Sequence, residues 1–353
     1  MRRAPSFPRL ALVVLATLGF LSTPRSARAQ ASERLFDSRQ VLELQIATDL
    51  NALMRQRDSL KLKSFPGTLT YRAADGERVP VEVSLKLRGH WRRQAKNCDF
   101  APIEVNIAKG ARPGTIFEDQ GDLKLVTHCR SKSPIFEQYV LREYLVYQLA
   151  NLLMPVSLRA RLVRASYVDT AGKRDSLTRY GFFIENERKA AARSNSVVLE
   201  TRGALWDDVD PEMGSQVSAF EYMIGGTDWS LVALHNIVLY QNRETGTLWP
   251  MAYDFDWTGI VWTSYAVPDY RLPIRSVRQR LYRGACRTAE EWAPVLARFQ
   301  EKKTELYAVY DSLPQLDPKY VGDTRKYLDQ FFEVISDPRK LKRELIDPCR
   351  RGT

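Results

Sequence analysis

The sequence predicts an α+β chain: a sheet with one long helix, then a helix, a loop, a β-hairpin and a helical tail. Three observations lead there. Alternating apolar patterns and an Asp75-Gly76 turn signal fill residues 66–128. A long apolar-patterned stretch begins at Ser133-Pro134 and stops at Pro155. From about residue 289 onward the apolar spacing is helical. About 320 residues remain after a leader is set aside, enough to bury the core of two lobes.

The leader is residues 1–29. Arg2 and Arg3 open it, Leu10 to Leu21 form a short apolar core, and Ala27-Arg28-Ala29 offers a cleavage site. This is the pattern of a secretory signal peptide, with a retained anchor as the alternative. The apolar core is short for a membrane span, and no later segment competes with it. Five of the 53 basic residues lie in this leader, so the net charge falls from +11 to +6 on its removal. Without a lysine run or zinc-finger spacing, that charge does not point to nucleic acid. An exported chain with four cysteines is expected to hold disulfides, and the local pairings Cys98–Cys129 and Cys286–Cys349 are favoured.

Leu42, Ile46, Leu50 and Leu53 recur at helical spacing and predict an amphipathic helix over 33–57. GTLTYRA and PVEVSLKLRG form a predicted hairpin, and APIEVNIAK (101–109) and DLKLVTH (122–128) two further strands. Serine suits an N-cap and proline the first helical position, so a helix is expected from Ser133 to Met154. Strands are expected near 160–168 and 178–185. The polar stretch ENERKAAARSNS (185–196) is expected to be a hinge. Asp210-Pro211 caps a helix with Val217, Phe220 and Ile224 on one side, and Gly225-Gly226 ends it. Asn236 to Gln241 and Leu248 to Phe255 form a hairpin, and three helices fill 289–347.

The chemistry is expected around that last hairpin. Asp228 follows the glycine pair, Asn236 opens the first arm, and Asp254 and Asp256 end the second. The arms run antiparallel, so Asn236 and Asp254 fall at the same end, near the loop that carries Asp228. Carboxylate and amide oxygens gathered there suit a divalent cation. A separate aspartate suits the orientation of an attacking hydroxyl. Phosphoryl transfer asks for that combination.

The order of glycine pair, Asp, HN, hairpin and YDFD resembles the CotH spore-coat protein kinase family. LKLRGHWRR, LKLVTHC before the Ser133 helix, and YGFFIEN add to the resemblance, which covers about residues 66–260. The resemblance implies a two-lobed atypical kinase-like fold: an N-terminal helical extension (30–60), an N-lobe (61–190) and a C-lobe (191–353). It implies ATP and Mg²⁺ or Mn²⁺ as cofactors and a protein hydroxyl as acceptor. Asp228 becomes the catalytic base, with Asn236, Asp254 and Asp256 at the metal. Asp256 has a structural partner role as its alternative. Base and asparagine are five residues apart in ordinary protein kinases and eight apart here, so His235 is a rival to Asn236. For the phosphates, Lys124 is the first choice of cation, with Arg88, Lys86 and Lys96 as rivals. Glu143, a carboxylate on an otherwise apolar helix face, is the expected partner of that cation, with Glu137 behind it.

Plainer readings exist for each residue. Asp228 and Asn236 suit turns, and Lys124 suits a solvated strand face. Arg88, Arg92 and Arg93 suit a wet sheet edge. His90, His128 and His235 allow a three-histidine metal site. Two other functions stay open: a non-catalytic kinase-like binding protein of the cell envelope, and a carbohydrate-active protein that uses Asp254 and Asp256 beside Trp257.

Overall fold

Leu42, Leu44, Ile46 and Thr48 are buried while the residues between them are less so. That alternation makes Leu42–Thr48 a strand, β1, where the sequence reading expected a helix over 33–57. The helical spacing passed over Leu44, which only a period of two accounts for. Helix is confined to α1 (Leu50–Arg55), whose N-cap Asp49 accepts a 2.9 Å hydrogen bond from Ala52 N. This computed structural model describes Met1 and residues 34–349. The expected leader lies outside the described residues, apart from Met1.

The reassigned strand changes the architecture. β2 (Phe65–Arg72), β3 (Arg78–Leu87), β4 (Ile103–Ile107) and β5 (Asp122–Val126) follow, then helix α2 (Pro134–Leu153), β6 (Ala160–Asp169) and β7 (Leu177–Ile184). Each pairs antiparallel with its neighbour in the order β1-β2-β3-β4-β5-β7-β6. β1 then pairs in parallel with β6, Leu42 opposite Val163, and closes a seven-stranded barrel. The expected two-lobed kinase-like fold is therefore corrected. The N-terminal sheet is not an open sheet under one helix but a closed mixed barrel, and its interior is filled by inward residues such as Leu85, Val105, Leu125, Tyr167 and Phe183.

α2 packs on the outside of β6 and β7. Ser133 sits at its cap position without a side-chain cap bond, and Pro134 begins it. The expected hinge at 185–196 is structured: α3 (Glu187–Arg193) is capped by Asn186, and β8 (Ser196–Leu199) follows. Helix α4 (Pro211–Ile224) is capped by Asp210, which accepts from Glu212 N and Met213 N. The expected hairpin is β9 (Ile237–Asn242) and β10 (Leu248–Ala252), and β8 joins it in a separate three-stranded sheet of order β10-β9-β8. α5 (Ala289–Glu301), α6 (Lys303–Asp311), α7 (Pro318–Ser336) and the short α8 (Pro338–Leu341) complete the tail.

One hydrophobic cluster joins α2, α4, the three-stranded sheet and the tail, and a second fills the barrel. Disulfides link Cys98 to Cys129 and Cys286 to Cys349. Such bonds fit an oxidising compartment. Among the described residues no helix is long and apolar enough to cross a membrane.

Candidate functional site

Gly225 ends α4 in the left-handed conformation at φ 69°, and Gly226 N bonds back to Glu221 O at 2.7 Å. A Cβ on Gly225 would meet the Tyr327 hydroxyl and, at 3.2 Å, the Gly259 backbone, and with its left-handed φ this position suits glycine. The turn delivers Asp228 to an exposed position. Two backbone hydrogen bonds between Ser230 and His235, at 2.9 and 3.0 Å, then pinch off residues 231–234 as a small loop. That loop absorbs the eight-residue interval and returns the chain to Asp228.

Both candidates for the second position reach Asp228. His235 Nε2 lies 3.0 Å from its Oδ1. Asn236 Nδ2 donates to Asp228 O at 2.7 Å and contacts Oδ2 at 3.4 Å. Asn236 O accepts from Tyr253 N across the hairpin at 3.1 Å, which sets Asp254 one residue further along. Asn236 and Asp254 both adopt positive φ, 53° and 63°. Such backbone is uncommon outside glycine and concentrates at functional sites. Asp228, Asn236 and Asp254 line one narrow crevice, with Glu221 and Trp257, whose free volume of about 10 Å³ is that of a single water.

The cation at the centre is Arg92, from the loop after β3. Its Nη1 is 3.1 Å from Glu143 Oε2, its Nη2 3.3 Å from Asp254 Oδ1 and its Nε 3.4 Å from Asp256 Oδ2. One buried guanidinium thus ties α2 to the segment after β10. Asp256 Oδ2 also accepts from Tyr265 OH at 2.9 Å. α2 presents a stripe to that segment: Tyr139 OH accepts from Ser264 N, Glu143 meets Arg92, and Tyr147 OH accepts from Asp254 N.

Three carboxylates around one arginine leave excess negative charge. Burial is the largest influence on both Glu143 and Asp256 and pushes their carboxyls up, against the downward pull of Arg92. Glu143 Oε1 is buried without a hydrogen-bond partner. Burial also lifts Glu221 to about 8, with the nearby Asp228 charge adding to it and Arg283 opposing it.

The expected phosphate contacts divide. Glu143 is paired, but with Arg92. Lys124 forms an ion pair with Glu187 and stands 5.7 Å from the Tyr253 ring. Arg88 is half-buried and close enough to Tyr253 to lower its phenol pKa against the larger effect of burial. Lys86 faces Glu104, which faces Lys124, across β3, β4 and β5 on the outer face of the barrel. Glu137 accepts from Tyr180 N at 2.6 Å instead.

The metal expectation is partly redrawn. Among the described residues no group of three His, Cys, Asp or Glu side chains is set to hold an ion. The three-histidine site is not formed: His128 is buried against Phe100, its pKa lowered to about 3 by burial, while His235 is on Asp228. Asp256 is a buried partner of Arg92 and Tyr265 rather than an open ligand. Asn236 spends its amide nitrogen on Asp228, which leaves Oδ1, and Asp254 spends Oδ1 on Arg92, which leaves Oδ2. Magnesium is commonly held by one or two carboxylates plus substrate phosphates, and Asp254 is the carboxylate here with an oxygen not engaged by Arg92. Asp254 and Asp256 meet the same guanidinium and are not opposed across a sugar-sized gap, unlike a glycosidase pair.

The sequence reading missed Arg92 as the hub, Glu221, Tyr147 and Tyr265. A signal for Arg92 existed: a carboxylate on an apolar helix face demands a cation, and GHWRR offers one beside a tryptophan. No known family model matches the chain, and no curated protein matches it either.

Proposed function

We propose that the chain is an exported, metal-dependent phosphotransferase that moves the γ-phosphoryl group of ATP to an acceptor hydroxyl, as the resemblance to the CotH family implies. The observation that carries it is Arg92, which joins the helix carboxylate Glu143 to Asp254, itself in one cleft with Asp228 and Asn236. Phosphoryl transfer asks a protein mainly for positioning and charge neutralisation.

Asp228 is exposed, with His235 and Asn236 fixing its orientation, and it accepts the proton of the attacking hydroxyl. The hydroxyl oxygen bonds to the γ-phosphorus as the bond to ADP breaks. Asn236 and Asp254 would hold Mg²⁺ or Mn²⁺, which would neutralise phosphate charge. Arg88 and Lys124, grouped about Tyr253, meet the phosphates. The leader pattern and the two disulfides support export, to periplasm or exterior.

Binding of a fluorescent ATP analogue with and without Mg²⁺ or Mn²⁺ tests this. Metal-dependent binding is expected. Asp254→Ala abolishes it, while Asp228→Asn keeps binding and loses transfer. No metal-dependent binding sinks the enzyme, and transfer by Asp228→Asn removes Asp228 as the base. A second reading, a non-catalytic envelope protein that binds a phosphorylated ligand, is favoured by the Arg92 contact that occupies Asp254 Oδ1. It predicts binding without metal dependence and without transfer.

A further inference from the structure

Asp228 borders two spaces. One is the small cleft it shares with Asn236 and Asp254. The other is an open cleft of about 440 Å³, lined by Thr227, Trp257, the segment 267–270 and Val277. Phosphate handling uses none of this second space. Its lining has a definite chemistry. The Trp257 indole meets Trp91 edge-on, with ring centroids 6.1 Å apart, which fixes its orientation. Tyr270 is 93% exposed, a ring with little protein around it.

Asp269 is gripped by its neighbour two residues on. Its Oδ1 accepts from Arg271 N and Nε at 2.9 Å, and its Oδ2 from Nη2 at 2.5 Å. Those bonds hold the carboxyl below the usual range, so it is an acceptor at any ordinary pH. The main chain through 267–277 is irregular. With no strand edge there, an extended peptide has no backbone ladder to join.

We infer that this cleft is the acceptor site and that the acceptor is a saccharide, lying against Trp257 and Tyr270 with one hydroxyl directed at Asp228. A pyranose offers a face of C–H groups that rests on the electron-rich face of an aromatic ring. Its rim of hydroxyls donates to carboxylates such as Asp269. The inference narrows the proposed reaction and departs from the protein hydroxyl that the family resemblance implies. The transfer step rests on the phosphotransferase reading; saccharide binding does not. In transfer, the sugar hydroxyl gives its proton to Asp228, its oxygen bonds to the γ-phosphorus, and ADP leaves.

The test titrates the chain, without nucleotide, with cellohexaose, chitohexaose, maltohexaose and xylohexaose, read by tryptophan fluorescence and calorimetry. Saturable binding of at least one is expected. Tyr270→Ala, which alters a solvent-facing ring, weakens it about five- to ten-fold, and Asp269→Asn weakens it too. Trp257→Phe, which keeps a ring on Trp91, weakens it as well. With Mg²⁺ and ATP the bound sugar gains one phosphoryl group by mass spectrometry. If none of the four binds, or Tyr270→Ala leaves binding unchanged, the inference is overturned. Phosphorylation of a serine peptide pool with no oligosaccharide binding overturns it while sparing the phosphotransferase. Oligosaccharide binding without metal-dependent ATP affinity keeps the saccharide site and removes the phosphotransferase.

Discussion

Replacing Arg92 with Met keeps much of the side-chain stem and removes the charge shared by three carboxylates. Asp254 is half exposed, so water replaces that contact at small cost. Glu143 and Asp256 are buried and have no such recourse. Breaking a buried ion pair by removing one partner costs about 3–5 kcal/mol, and that figure is expected here at pH 8. At an m value of about 3 kcal/mol/M the urea midpoint falls by roughly 1 M or more. The loss depends on pH with a definite sign. Burial raises both carboxyls above their unfolded values, further still without Arg92. Such groups leave stability intact below the unfolded range, about 4, and withdraw it as pH rises toward the folded value. Arg92→Met should therefore differ little from the parent at pH 5 and most at pH 8. Adding Glu143→Gln should return part of the loss, a coupling of about 1–3 kcal/mol. Urea titrations at both pH values, for parent, single and double variants, measure it. A loss under 1 kcal/mol, equal at both pH values, would refute the idea that Arg92 is the counter-ion of a buried acidic cluster.

Glu221 offers a related test: its carboxyl is lifted to about 8, so stability it provides when neutral is lost as pH rises from about 4 to 8. Glu221→Gln should match the parent at pH 5 and exceed it at pH 9 by on the order of a few kcal/mol, read from thermal or urea unfolding. The Cys98–Cys129 bond closes a 31-residue separation beside the loop that carries Arg92; Cys98→Ser with Cys129→Ser should cost about 3–4 kcal/mol by the chain-entropy relation, measured by denaturation under non-reducing conditions. Tyr147→Phe removes the acceptor of the Asp254 amide and should cost about 1 kcal/mol, with weakened metal-dependent ATP binding if the Asp254 turn must be held in place.

What the sequence disclosed and what it withheld follow from the range of the interactions. α2 was legible because Ser133-Pro134 and Pro155 are local marks, and α4 because Asp210-Pro211 and Gly225-Gly226 are. The β9–β10 hairpin needs only its own turn. β1 was misread because its defining partner, β6, lies about 120 residues away, and a local apolar count cannot see a parallel pairing. Without β1 there is no barrel, so one missed strand cost the whole architecture. β8 was hidden for a different reason: the four residues Ser196–Leu199, at the end of a polar stretch, are too few for a period to register. At the site, Asp228, Asn236 and Asp254 could be gathered from hairpin geometry alone, and the Ser230–His235 pinch explains why a longer interval still returns to Asp228. Arg92 escaped because an arginine in a loop is ordinarily solvated. Its burial is imposed from outside the loop: Glu143 on a closely packed helix and Asp256 beyond the hairpin each demand a positive charge, and Cys98–Cys129 and the Arg93 bonds to Arg57 O and Ser59 O hold the loop where that charge is needed. A buried carboxylate announces that a cation exists without naming it; only the fold decides which of several arginines answers.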